Sequence, residues 1–129
     1  MTSNADLIRD FYYYMKKQDK QSYLKLCDDD IEWTVMKNMP FGGTYVGKRE
    51  VFDEYFPKLF SNFKEFHAKT EEFLEDGPKV IVLGKYYGIG DSGKKFQSPF
   101  AHVYTIKNNK IAEFRQYTDT AAIRKVLSM

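Results

Sequence analysis

The chain has 129 residues, the length of one domain with its own core, and we expect residues 1–129 to form a single unit. Its 20 basic and 18 acidic residues give a net charge of +2, which excludes the electrostatic footprint of a nucleic-acid-binding protein. A single cysteine and the lack of an 18-residue apolar run predict a soluble, cytoplasmic protein without a membrane partner.

The N-terminal segment predicts two helices. Ser3 has the spacing of an N-cap, with the acidic Asp6 three residues later. Apolar residues then recur with helical period on one face of the first helix: Leu7, Phe11, Tyr14 and Met15. Residues 21–27 predict a second, short helix, and the acidic triplet 28–30 predicts a solvated turn rather than a metal site.

A strand, a loop and a further helix follow. Residues 31–36 alternate between apolar and polar side chains, which is typical of a half-buried strand. Residues 37–46 contain one proline and two glycines, so we expect a loop there. The apolar spacing over residues 51–60 predicts a helix, which Pro57 should end or kink near Phe56.

The rest of the chain predicts an antiparallel sheet. Strands are expected at residues 63–74, 80–89, 96–106 and 111–118, because turn signals lie at 76–78, 90–93 and 108–109. Asp119 should cap a short final helix. Helices followed by an antiparallel meander indicate an α+β fold, with the helices on one face of the sheet.

Two segments and one corner carry a resemblance to a known family. They are PFGGTYVGKREVFDEYF, PFAHVYTIKNNKIAEFRQYTDT and the acidic triplet 28–30 after the first helix. Over nearly its whole length the chain resembles the SnoaL-like and ketosteroid-isomerase-like branch of the nuclear transport factor 2-like (NTF2-like) superfamily. The resemblance implies a cone-shaped, curved, mainly antiparallel sheet, with the N-terminal helices packed on its concave face around an apolar pocket. It also implies a homodimer through the outer sheet face.

That branch includes isomerases, polyketide cyclases, epoxide hydrolases, dehydratases and members with no known catalysis. Steroid isomerases of this fold use one tyrosine and two aspartates, and the matching positions here hold Phe11, Trp33 and His102. Because Trp33 cannot act as a base, we exclude steroid isomerisation. Hydrolases and cyclases carry an Arg-Asp-Tyr pattern, where this chain has Gln116 between Arg115 and Tyr117. An amide cannot titrate, which argues against a hydrolase.

The turn at residues 108–109 decides which side chains accompany His102. A two-residue turn would place charges in the pocket, with Tyr104 opposite Glu113 and His102 opposite Arg115. A three-residue loop with Asn109 left-handed and a bulge would instead pair Tyr104 with Ala112, His102 with Phe114 and Phe100 with Gln116. An enclosed face avoids unpaired charge, so we predict the second register.

The predicted site is a pocket on the concave face. His102 and Gln116 are the candidate catalytic residues, and the candidate ligand-binding residues are Phe11, Tyr14, Trp33, Phe41, Tyr86, Phe100, Tyr104 and Phe114. We expect a buried, neutral His102 with a depressed pKa and a hydrogen bond to a tyrosine, a carbonyl or Gln116. A purely structural core histidine is the alternative. The other histidine, His67, is expected at the surface, and no metal or cofactor is expected.

Three functions are compatible with this pattern. The chain could be an enzyme that isomerises, cyclises or hydrolyses an apolar, polyketide- or steroid-like molecule, with His102 as acid or base. It could equally be a non-catalytic ligand-binding domain, or a protein-interaction module that uses the sheet face. A homodimer would form through outward positions of the strands at residues 96–106 and 111–118: Ala101, Val103, Thr105 and Arg115.

Overall fold

The computed structural model describes residues 3–128, which form one six-stranded sheet and a set of helices. The strands are β1 (Cys27–Val35), β2 (Gly43–Val46), β3 (Phe63–Asp76), β4 (Lys79–Gly90), β5 (Lys95–Lys107) and β6 (Lys110–Thr118). The helices are α1 (Asn4–Lys16), α2 (Lys20–Lys25), a π-helix (Arg49–Tyr55), α3 (Phe56–Phe60) and α4 (Thr120–Arg124). The strand order is β2-β1-β6-β5-β4-β3. This is the predicted α+β class with a curved sheet.

The helices begin where the sequence predicts. The Ser3 hydroxyl accepts a hydrogen bond from the backbone N–H of Asp6 at 3.0 Å, and Asp119 caps α4 in the same way. The inner side of α1 buries four apolar residues against the sheet: Ala5, Leu7, Ile8 and Phe11. Within residues 3–128, none of the helices has the length and hydropathy of a membrane span.

The first strand differs from its prediction at both ends. The acidic triplet 28–30 is not a turn but part of β1, which runs parallel to β6 with a bulge between Cys27 and Glu32. These acids remain solvated, and the side chain of Asp29 is 92% exposed. The predicted loop 37–46 is also partly wrong. Its last four residues form β2, because a tight turn at Gly42, where a Cβ would lie 2.1 Å from the Met36 carbonyl oxygen, returns the chain alongside β1.

The predicted helix break at Pro57 is confirmed, in the form of a change of helix type. The backbone N–H of Phe56 bonds to the carbonyl of Val51, five residues earlier, which is the π-helical spacing. Proline has no N–H to continue that pattern, so an α-helical turn begins at this point. The π-helix places Phe52 and Tyr55 in the core.

The hairpin between β5 and β6 corrects the predicted register. Asn108 and Asn109 both have positive φ angles, 52° and 59°, so the turn has two residues and Lys107 pairs with Lys110. The bulge lies after the turn, at Ala112, and the following pairs are Tyr104 with Phe114, His102 with Gln116 and Val103 with Arg115. The predicted three-residue loop and its pairs are therefore wrong. The predicted faces are right, because the extra residue in the bulge turns Arg115 outward.

Candidate functional site

His102 lies at the centre of the concave face with both ring nitrogens hydrogen-bonded. The Tyr12 hydroxyl oxygen is 2.5 Å from Nδ1, and the Tyr86 hydroxyl oxygen is 2.5 Å from Nε2. Only 4% of His102 is exposed. Its partners are therefore two neutral phenols rather than a carboxylate, which is one of the arrangements that the sequence predicts.

The two contacts belong to a longer row of side chains that we name the polar chain. The Tyr104 hydroxyl donates to the Tyr12 hydroxyl at 2.9 Å, and the Gln116 amide Nε2 donates to the Tyr86 hydroxyl at 2.9 Å. The order is thus Tyr104, Tyr12, His102, Tyr86, Gln116. The Gln116 carbonyl oxygen Oε1 is buried and has no hydrogen-bond partner within residues 3–128.

Strand alternation and one helix position bring the polar chain together. Tyr86 lies on β4, His102 and Tyr104 on β5 and Gln116 on β6, all at positions that point to the inner face. Tyr12 comes from α1, one turn after the fully buried Ile8, and so faces the sheet. Tyr12 is not among the site residues predicted from the sequence. The i, i+4 spacing from Ile8 is the signal that would have found it.

Burial keeps the four titratable members of the polar chain neutral at pH 7. Removal from water lowers the pKa of His102 from 6.5 to about 3, because no nearby anion stabilises the imidazolium. Burial also raises the pKa of Tyr86 and Tyr104 above the usual range for phenols. The pKa of Tyr12 is raised by burial and by the neighbouring Tyr104. The chain therefore consists of neutral donors and acceptors.

Aromatic rings surround the polar chain. Phe100 stacks on the His102 ring with centroids 3.9 Å apart, and Phe114 approaches its edge at 4.8 Å. Trp33 stacks on Phe114 at 3.7 Å, and Phe11 lies 6.2 Å from Tyr104. The structure thus places eight of the ten predicted site residues together: Phe11, Trp33, Tyr86, Phe100, His102, Tyr104, Phe114 and Gln116.

The other two predicted residues lie elsewhere. Tyr14 is two positions beyond Tyr12 on α1, about 200° around the helix, and its ring packs on Tyr13 instead. Phe41 is 46% exposed and sits in the turn before β2 with a φ of 59°. His67 is exposed, as predicted, with Nε2 3.3 Å from a Glu65 carboxylate oxygen.

The concave face is closely packed, and the predicted apolar pocket stays a prediction. Two surface depressions of about 520 and 320 Å³ are lined by other residues, the first around His67 and Tyr87 and the second around Asp28 and Glu113. Along the edge strand β3, the inner face carries few large side chains. Between Phe66 and Phe73 its inward positions hold only the exposed Ala68 and the half-buried Thr70. We name this gap the β3 notch.

The described residues offer no metal site. Within residues 3–128 no group of three or more histidine, cysteine, aspartate or glutamate side chains could hold an ion. The one cysteine, Cys27, is buried, and desolvation raises its thiol pKa to about 12, so it carries no thiolate at pH 7.

Comparisons with known proteins agree with this architecture. The family model of the SnoaL-like domain matches residues 8–114. An NTF2-like protein of unknown function from Burkholderia pseudomallei K96243 is 25% identical over the whole of both chains, with a TM-score of 0.90. An NTF2-like protein from Burkholderia thailandensis E264 is 28% identical over 98% of each chain, with a TM-score of 0.91.

A third similar structure contains a ligand. TerC, co-crystallised with polyporic acid, is 22% identical over 98% of each chain and superimposes with a TM-score of 0.88. At that identity the likeness concerns the fold. None of the curated proteins with which the chain was compared is significantly similar to it in sequence.

Proposed function

Because the chain belongs to the SnoaL-like family of NTF2-like proteins, we propose that it binds a small apolar molecule on the concave face of its sheet. The observation that carries this proposal is the polar chain inside an aromatic shell. Aromatic side chains with a few placed polar groups are the usual lining of small-molecule sites. The amide oxygen of Gln116 is buried without a hydrogen-bond partner, which costs free energy in a purely structural core.

The β3 notch is the proposed entrance. It lies beside Tyr86, which pairs with Ala68 across the β3–β4 ladder, and beside Gly84, which pairs with Thr70. Neither Ala68 nor Thr70 has a side chain large enough to cover the inner face. A ligand that enters here displaces the half-buried rings at either end of the notch, Phe66 and Phe73.

Catalysis by His102 is the second candidate function. Both of its ring nitrogens contact hydroxyl groups, so one nitrogen can receive a proton while the other releases one. The ring then stays neutral throughout, which is compatible with its pKa of about 3. In this role Gln116 would hold the Tyr86 hydroxyl in place. Isomerisation, cyclisation and hydrolysis of an apolar substrate all need such proton transfers.

Ligand binding can be tested with Trp33, the only tryptophan of the chain. Its ring stacks on Phe114 next to His102, so a ligand on the concave face should change its fluorescence. Naphthalene and polyporic acid are the probes, and calorimetry gives an independent dissociation constant. Constant Trp33 emission and no heat of binding with either probe would contradict the proposal.

A matched pair of variants tests the entrance. Thr70→Phe fills the β3 notch and should weaken binding at least about tenfold, roughly 1.4 kcal/mol. Lys69→Phe adds a ring of the same size at the next position, which points to the outer face, and should leave binding unchanged. Equal affinities of the two variants would place the entrance elsewhere.

We also propose a homodimer through the outer sheet face. Half-buried apolar side chains form a continuous patch there: Ile81, Leu83, Ala101 and Val103. A monomer would leave this patch in water, whereas a second copy would cover it. Light scattering should report twice 15.2 kDa for the wild type and 15.2 kDa for Val103→Glu. A monomeric wild type at micromolar concentration would contradict this. The cytoplasmic location and the absence of a nucleic-acid partner stay predictions from composition.

A further inference from the structure

The apolar patch on the outer face of the sheet lies between two ends of opposite charge. The patch itself consists of Ile81, Leu83, Ala101 and Val103. On β6, Glu113 lies two residues before Arg115, which pairs with Val103. On β4, Lys85 lies two residues after Leu83, which pairs with Ala101. Because β4 and β6 both run antiparallel to β5, they share one direction, and Glu113 and Lys85 lie at opposite ends of the patch.

The end formed by β1 and β6, which we name the acidic end, carries unpaired carboxylates. Glu113 of β6 lies beside Glu32 of β1 in the parallel ladder. The depression of about 320 Å³ at this end is lined by four carboxylates, one lysine and one alanine: Asp28, Asp30, Glu32, Glu113, Lys107 and Ala112. Within residues 3–128, none of these carboxylates forms a salt bridge. A cation from another molecule would therefore lower the electrostatic free energy of this end.

The end formed by β3, β4 and β5, which we name the basic end, presents three lysines: Lys69, Lys85 and Lys95. Lys69 and Lys85 are partners in the β3–β4 ladder, so two cations lie side by side. Among the carboxylates at this end, Glu71 is 3.8 Å from Lys85, and Glu65 contacts His67 instead of a lysine. Lys69 and Lys95 form no salt bridge in the described part of the chain, residues 3–128. The basic end therefore offers cations to a neighbouring acidic surface.

The apolar patch and its two charged ends make the outer face complementary to itself. In a dimer with two-fold symmetry, the same face of both copies must fit together. A two-fold axis that passes through the patch and crosses the strands exchanges the two ends. The acidic end of each copy then lies over the basic end of the other, and the patches meet in the middle. An axis parallel to the strands would not exchange the ends.

We propose that the two copies of the homodimer pack in this crossed orientation, with Glu32 and Glu113 of each copy facing Lys69 and Lys85 of the other. The inference rests on the proposed homodimer and identifies the parts of the surface that meet. The symmetry forms each contact twice, so every charge pair counts double. The depression between the carboxylates gives a lysine side chain of the second copy room to enter. A second copy satisfies both ends at once, because each copy carries both halves of the recognition.

Two charge reversals test the orientation. Glu113→Lys places like charges against Lys85 at both ends of the dimer, and Lys85→Glu does the same against Glu113. Each variant alone should form its homodimer at least about tenfold more weakly than the wild type. Mixed together, the two variants should form a heterodimer. The new lysine of one copy then faces the new glutamate of the other, and the second contact keeps its native charges.

Native mass spectrometry measures the mixture. Glu113→Lys is labelled with ¹⁵N and Lys85→Glu is unlabelled, so the heterodimer and the two homodimers differ in mass. The heterodimer should exceed its statistical share by a wide margin. Lys16→Glu, a reversal at an exposed position of α1 on the concave side, is the matched control. It should dimerise as the wild type does and should mix with the wild type in statistical proportions.

The outcomes separate this inference from the homodimer itself. A monomeric wild type would overturn both. A dimeric wild type together with a statistical mixture of the two variants would overturn the orientation and leave the homodimer intact. The double variant, with both reversals in one chain, should recover the affinity of the wild type, and failure to recover it would also overturn the orientation. Raising the salt concentration from about 50 to about 500 mM should weaken the wild-type dimer, because salt screens exposed charges. An affinity independent of salt would contradict the proposed charge pairs.

Discussion

The two faces of the sheet are built from the same strands but differ in chemistry. On β5, the inward residues Phe100, His102 and Tyr104 are buried, whereas Ala101 and Val103 between them are half-buried on the outer face. The inner face holds neutral polar groups that pair with one another. The outer face mixes apolar side chains with charges such as Arg115, which water can solvate. A histidine or tyrosine on the inner face of β4 or β5 therefore joins the polar chain, whereas one on the outer face is exposed to water.

The largest expected difference between the faces concerns packing. Phe114→Ala on the inner face should lower the free energy of unfolding by about 3–5 kcal/mol, because it removes the ring between Trp33 and His102. Tyr117→Ala on the outer face, where the side chain is 48% exposed, should cost less than about 1 kcal/mol. Urea unfolding at one fixed protein concentration measures both. An equally large loss at Tyr117 would show that the outer face is also a packed core.

The buried His102 predicts that the stability of the protein depends on pH. The unfolded chain protonates His102 below its ordinary pKa of 6.5, while the folded protein resists protonation until about pH 3. The free energy of unfolding should therefore fall as the pH is lowered through this window, by up to about 1.4 kcal/mol per pH unit. Urea unfolding at several pH values should show a shallower slope for His102→Gln.

The smallest expected difference in stability is between substitutions of two adjacent tyrosines on β4, Tyr86 and Tyr87. Tyr86→Phe removes the hydroxyl that joins His102 to Gln116 and leaves two buried groups unpaired, so stability should fall by about 1–3 kcal/mol. Tyr87→Phe removes a hydroxyl from a side chain that is 45% exposed on the outer face. That change should stay within about 0.5 kcal/mol. Equal effects would mean that the polar chain contributes no stability.

Much of the fold follows from local patterns. The alternation of Ile31, Trp33 and Val35 predicts β1, and the β-branched and aromatic runs predict β4, β5 and β6. The weaker pattern at 63–74 also forms a strand, because β3 pairs with β4 along almost its whole length. The inner positions of β5 and β6 could be predicted because burial excludes Glu113 and Arg115 from that face.

The features that the sequence does not predict depend on tertiary structure. Whether Tyr12 or Tyr14 faces the sheet is decided by the rotation of α1 about its axis, which the burial of Ile8 sets. No turn-forming residue in the sequence indicates the bulge at Ala112. The pairing of β1 with β6 joins segments from distant parts of the sequence, and local propensity carries no information about such a partner.

The parallel pairing of β1 with β6 has a consequence for the order of folding. β1 carries Trp33 and directly follows α2, yet its parallel partner β6 is the last strand of the described chain to be synthesised. During translation the hairpins β3–β4 and β4–β5 can close soon after each strand emerges. Until β6 has been synthesised, β1 has only the short β2 to pair with. β1 therefore gains its parallel partner last, and non-local pairing of this kind slows folding.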